Sequence, residues 1–152
     1  MNRIIVLDTG VLGMVTNPKA SPEVAACNQW LEFVAKSGAW IAIPEIADYE
    51  VRRELLRAEK TRGIARLDAL KKATLYLPIT TATMLKAAEF WATVRKQGKP
   101  TADEKALDGD MILAAQAFLL SQKGNEVTNA TTNVGHLALL VNARVWQEIE
   151  YR

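Results

Sequence analysis

Apolar residues along the chain follow two alternating rhythms: short unbroken runs, and longer stretches spaced by three and four. Ile4-Ile5-Val6-Leu7 is an unbroken run, apolar on both faces, and predicts a central strand of a parallel sheet. Ser21-Pro22-Glu23 predicts a helix start, with Ser as the cap, Pro in the first position and an acid in the first turn. That helix carries Ala26, Trp30, Phe33 and Val34 on one side and stops at Gly38. Trp40–Ile43 is a second buried strand. Pro44 and Glu45 then open a helix with Ile46, Tyr49 and Leu56 at near-helical spacing, and helical propensity continues to a break expected at Gly63. Thr74–Ile79 reads as a third strand, and Thr80–Gln97 as a long helix closed by Gly98 and Pro100. A polar loop is expected over 99–109, and a helix from Asp108 or Asp110 to Gly124. Glu126–Thr131 reads as a weak strand, polar for a sheet centre, and Ala143–Trp146 as an edge strand.

Strands alternating with helices predict an α/β protein, a three-layer α/β/α sandwich on a mainly parallel sheet of roughly four to five strands. No repeat or linker divides the sequence, so one domain over 1–152 is expected. In such sheets ligands bind beyond the carboxyl ends of the strands, which directs attention to residues just after strands and at the helix starts that follow.

Composition narrows the classes. With 49% hydrophobic and 24% charged residues, the chain matches ordinary globular proteins and not disordered or fibrous ones. Its longest apolar run, 111–120, is well short of the roughly 18 residues of a membrane span, so no membrane association is expected. The opening MNRIIVLDTG resembles neither a secretory signal nor a transit peptide. A single cysteine, Cys27, forbids an internal disulfide or a Cys-rich metal site, and the expected location is a reducing cytoplasm. Net charge is +2, but between Arg52 and Lys72 eight basic residues face three acids, so that stretch carries +5 and the remainder −3. Such a basic arm fits either a polyanion partner or a solvated helix face.

The strand ends hold acids. Asp8 follows the first strand, Glu50 lies in the helix after the second, Asp108 and Asp110 start the helix before the fourth, and Asn133 follows the fourth. No Cys or His pair is spaced for zinc, and three or four converging oxygens suit Mg²⁺ or Mn²⁺. Crowded carboxylates repel one another, and a divalent cation is a physical reason to gather them. Each residue also has an ordinary reading. Asp8-Thr9 can cap a helix, Glu50 can be a surface helix residue, Asp108 or Asp110 an N-cap, Asn133 a turn former, and His136 a packed or surface histidine. Cys27 and the four tryptophans read most simply as core or boundary residues.

Four ordered segments resemble the PIN-domain family, and within it the VapC-type toxin ribonucleases of bacteria. They are Val6–Leu12 (VLDTGVL), Ile43–Leu55 (IPEIADYEVRREL), Asp108–Ala117 (DGDMILAAQA) and Ala130–Leu137 (ATTNVGHL). The resemblance spans the chain from Ile4 to about Trp146. It implies a nuclease that cleaves RNA phosphodiesters with Mg²⁺ or Mn²⁺. Asp8, Glu50 and Asp110 would hold the metal, with Asp108 as an accessory acid and Asn133 or Thr9 assisting. It also implies RNA contact through the basic stretch, a homodimer, and a small antitoxin protein that enters the site. Many members carry Asp where this chain has Asn133, which supplies an oxygen but no charge.

Other readings are weaker. Leu7-Asp8-Thr9-Gly10 is similar to the aspartic-protease triplet, which needs two copies in an all-β frame. A phosphotransferase using Asp8 as nucleophile would want a second acid where Gly10 stands. The serious alternative is a catalytically degenerate PIN-like module that binds RNA or a protein without cleavage.

Overall fold

The unbroken apolar run near the N-terminus occupies the middle of the sheet. A computed structural model describes residues 2–19, 21–97 and 104–151 (for 104–106, the backbone alone). Five strands, β1 (Arg3–Leu7), β2 (Trp40–Pro44), β3 (Leu75–Leu77), β4 (Glu126–Thr131) and β5 (Ala143–Val145), form one sheet in the order β3-β2-β1-β4-β5. Every neighbouring pair is parallel, with Ile5 opposite Ile41 on one side and Thr128 on the other. Ile5, Val6 and Leu7 are wholly buried, as a central strand covered on both faces requires.

Six helices are present among the described residues: α1 (Thr9–Thr16), α2 (Pro22–Lys36), α3 (Glu45–Arg57), α4 (Thr61–Ala73), α5 (Thr81–Lys96) and α6 (Glu104–Ser121). The Ile5, Leu7, Ile41 and Ile43 side of the sheet packs with Leu12, Val15, Cys27 and Trp30 of α1 and α2 and with Leu67 of α4. Ile4, Val6 and Ala42 face the opposite way and pack with Ala117 of α6. Ala87 and Val94 of α5 close over Leu107, Met111 and Ala115 of α6. The sandwich is therefore three-layered, as expected. Among the described residues no helix is long and apolar enough to cross a membrane.

Ser21, Pro22 and Glu23 start α2 as read, with the Ser21 hydroxyl accepting from the Val24 N–H at 3.2 Å. Gly38 (φ 98°) and Gly124 (φ 88°) end their helices in the left-handed region that glycine alone adopts freely. Trp30 and Trp146 are buried 5.8 Å apart, whereas Trp40 and Trp91 are about half exposed. Burial pushes the Cys27 thiol up to about 12, which makes it an inert core thiol.

Three expectations are corrected. Helix α1 was not anticipated. The helix through the basic stretch breaks at Ala58–Lys60 and not at Gly63. There the Lys60 and Glu59 N–H groups donate to the carbonyls of Leu55 (2.8 Å) and Leu56 (3.1 Å), a Schellman closure with Glu59 at φ 56°. Gly63 lies buried inside α4 because a Cβ there would sit 2.8 Å from Leu55 Cδ2; the bare backbone lets α3 and α4 approach. Helix α6 begins at Glu104, so Asp108 and Asp110 lie within it and neither is its cap; 99–103, the rest of the expected loop, and the expected helix closure at Gly98 and Pro100 lie outside the described residues. Strand β4 is interior despite its polarity. The buried Asn129 amide nitrogen donates to Asn142 O (3.1 Å), and Asn142 donates to Thr128 Oγ1 (3.1 Å), which ties β4 to the turn before β5, while Asn129 Oδ1 has no partner among the described residues.

The basic stretch is partly spent on structure. Arg52 donates to the buried Asp48 (2.9 Å) and to Asp68 of α4 (2.8 Å), and Lys71 lies 3.4 Å from Asp48. Among the described residues Lys60, Arg62 and Lys72 form no ion pair.

A non-glycine residue held left-handed costs roughly 1 kcal/mol, and Glu59 is solvent-exposed. Glu59→Gly is expected to raise the melting temperature by about 2–4 °C; an unchanged or lower midpoint in a thermal melt contradicts strain at this turn.

Candidate functional site

The order β3-β2-β1-β4-β5 reverses direction between β1 and β4, and a crevice opens beyond the carboxyl ends of those two strands. Asp8 stands at its floor. Its N–H donates to Ala130 O (3.0 Å), which continues the β1–β4 pairing one residue past β1. Its Oδ1 accepts from the Val11 N–H (2.8 Å) and caps α1. Its Oδ2 accepts from the hydroxyl of Thr131, the buried last residue of β4. The capping role open to Asp8 is therefore filled by a side chain that also stands at the cleft floor.

Helix α3 brings Glu50. Pro44 offers no side-chain cap, so other elements anchor this helix start. Gln116 of α6 accepts from the Ile46 N–H (3.5 Å) and donates to Leu77 O (2.5 Å), while Glu45 accepts from the Ile79 N–H (2.8 Å) and the Tyr76 hydroxyl (3.1 Å). Thr9 donates to Glu50 Oε1 at 2.6 Å and aims the carboxylate inward. Helix α6 brings Asp110, one residue after Gly109. A Cβ at Gly109 would fall 2.7 Å from Glu50 Oε2, so a side chain there would displace the carboxylate from its present place against this helix. Gly10 behaves alike, with Thr132 Oγ1 at 2.8 Å from its missing Cβ.

Asp8, Thr9, Glu50, Asp110, Asn133 and His136 line one cleft of about 600 Å³. Burial raises the proton affinity of Asp8, and the Thr131 hydroxyl and the N–H groups of Val11, Thr132 and Gly10 partly offset it. Asp110 is pushed up to about 6, first by burial and then by the charges of Glu50 and Asp8, with His136 opposing. Asp110 thus lies within electrostatic reach of both other acids.

Three of the predicted residues, Asp8, Glu50 and Asp110, meet here with Thr9. Asn133 is on the exposed rim, where its Oδ1 accepts from the Gly135 N–H (3.1 Å), the turn-forming role open to it. Asp108 points elsewhere: it is exposed and borders a groove with Met84 and Trp91 of α5, apart from the cleft. Thr131 and Gly109 also shape the cleft without a role expected from the sequence, and His136, expected as a packed or surface histidine, lines it. The repeated Thr at the end of β4 was the available signal for Thr131. For Gly109 and His136 it was their adjacency to the acid and strand-end motifs.

No protein-family model matches the sequence, and no curated protein matches it. Solved structures match in fold. VapBC2 from Rickettsia felis, solved bound to a DNA fragment from its promoter, gives a TM-score of 0.72 at 17% identity, over 94% of this chain and 98% of that one. FitAcB from Neisseria gonorrhoeae gives 0.65 at 19% identity, over 95% and 99%. VapC20 from Mycobacterium tuberculosis, a sarcin–ricin loop cleaving toxin, gives 0.58 at 16% identity, over 89% and 94%. At these identities the likeness is one of fold, and the chain has the PIN-like α/β/α architecture.

Asp110 holds its proton more tightly folded than unfolded, so its contribution to stability is present below pH 4 and is lost as pH rises through about 6. Asp110→Asn is expected to raise the melting temperature in EDTA at pH 7.5 by about 3 °C, or about 1 kcal/mol after discounting for solvent screening. The gain should shrink toward pH 4. Equal midpoints at both pH values would show that the acids do not strain the fold.

Proposed function

We propose that the chain is a metal-dependent endoribonuclease, the toxin of a toxin–antitoxin pair. The observation that carries this reading is the convergence of Asp8, Glu50 and Asp110, from three separate elements, on one cleft at the reversal of strand order. The donor set is all oxygen, which suits Mg²⁺ or Mn²⁺ and not zinc. Among the described residues no group of three or more His, Cys, Asp or Glu side chains is placed so that it could hold a metal ion without adjustment. An open cleft of this size leaves room for a cation that keeps several of its waters. Asp8, Glu50 and Asp110 are the residues assigned to it, and a divalent cation there supplies charge against the phosphodiester and acidifies water.

The remaining work falls to the chain. Thr131 and the start of α1 fix the Asp8 carboxylate, and Thr9 fixes that of Glu50. Both are thereby preorganised, and little rearrangement is needed when a phosphate enters. Lys60 and Arg62 on the α3–α4 side supply charge for the RNA backbone, where contacts give affinity without sequence choice. The antitoxin belongs to this reading because the fold neighbours include VapBC and FitAcB assemblies. A non-cleaving PIN-like module is the second reading, favoured by Asn133, whose side chain is occupied by the Gly135 turn and adds no charge.

Purified protein is expected to cut a structured RNA pool with Mn²⁺ or Mg²⁺ and not with EDTA, and Asp8→Asn or Asp110→Asn to lose about two orders of magnitude in rate or more. Cutting that survives both substitutions overturns the site. No cutting together with no rise in melting temperature on adding Mn²⁺ favours the non-cleaving module.

A further inference from the structure

Helix α3 presents a second feature beside the cleft. Tyr49, Arg53 and Leu56 lie at i, i+4 and i+7, one exposed stripe of the helix, with Tyr49 56% and Leu56 58% exposed. A tyrosine this exposed gains little from the fold. Among the described residues its one polar contact is the Arg53 guanidinium, which lies over the ring 5.0 Å from the centroid. The same guanidinium is 3.8 Å from Glu50 Oε2, too far for a hydrogen bond. Arg53 thus bridges a carboxylate of the cleft and an open aromatic face outside it.

Planar groups in this order, next to a site that takes a phosphodiester, match what an unpaired nucleotide offers. Bases outside a duplex are bound by stacking on aromatic rings and guanidinium planes, while the same faces are hidden in A-form RNA. We propose that Tyr49 and Arg53 form a platform that stacks an unpaired nucleobase adjacent to the phosphodiester held in the cleft, with Arg53 also facing the neighbouring phosphate. The proposal rests on the nuclease reading. Stacking tolerates any base, so the platform selects unpaired RNA and contributes little to sequence preference. A protein partner covering the same stripe through Leu56 is the competing occupant. Lys60 and Arg62, which form no ion pair among the described residues and lie just past the end of α3, and the contact with Glu50 favour RNA.

The test is fluorescence anisotropy in EDTA at low salt, with a labelled short single-stranded RNA and the same RNA carrying abasic sites. Binding to Tyr49→Ala is expected to weaken about tenfold, and the variant should no longer distinguish intact from abasic RNA. Tyr49→Phe, which keeps the ring, should restore the distinction. Trp40→Ala, an exposed aromatic at the opposite end of the sheet, should bind as the parent does. If Tyr49→Ala binds the intact RNA as tightly as the parent, the platform is overturned while the nuclease reading stands. If Tyr49→Ala instead loses self-association by sedimentation with RNA binding intact, the stripe is a protein interface and the platform is again overturned. A parent chain that binds no RNA in EDTA and cuts none with Mn²⁺ overturns both.

Discussion

The hydrogen bond from Thr131 to Asp8 joins the ends of the two strands between which the sheet reverses its order, and much of the molecule is arranged around it. Asp8 pairs onto β4 through its backbone, caps α1 with one carboxylate oxygen and receives Thr131 on the other. Helix α1 then begins with Thr9, which holds Glu50, and Glu50 belongs to the helix whose Asp48 binds Arg52 and Lys71. The layer of α1, α3 and α4 is therefore connected to the strand ends through polar contacts that start at one acid. Removing the Asp8 side chain would loosen a helix start as well as the cleft.

Helix α6 approaches from the other layer and brings an opposing force. Its apolar side packs on Ile4, Val6 and α5, and that burial carries Asp110 toward two carboxylates that repel it. Gln116, two turns further along, spans α3 and β3 with its amide, so packing and hydrogen bonding hold the helix against the repulsion. The acids are close because neutral parts of the protein keep them so.

Much of this was legible in the sequence where one physical signal dominated. Ile4–Leu7 and Trp40–Ile43 are apolar on both faces, and such runs have few places to go but a covered sheet. Gly38 and Gly124 marked helix ends because left-handed closure asks for glycine. Helix α1 was hidden because Thr-Gly-Val-Leu-Gly-Met-Val-Thr has poor helix formers. It exists through the Asp8 cap and the burial of Val11, Leu12 and Val15, which are tertiary facts. Glu59 concealed the α3–α4 turn by occupying a position where glycine was the expected mark. In the site, acids at strand ends announced themselves. Asp108 and Asp110 could not be separated by spacing alone, because that needed the true start of α6 and hence which side of the helix each faces.

Gly109 has a consequence for how such clefts are gained and lost. The space that admits Glu50 against α6 is a missing methyl group, so the cleft is recorded partly as an absence. A descendant could keep each acid and still reshape the crevice, because a side chain at this place would push the Glu50 carboxylate aside. Conversely, a chain that aligns well at its carboxylates but carries bulk here would possess the signature without the geometry. Among distant relatives, the residue preceding the α6 acid is therefore to be read together with the acid.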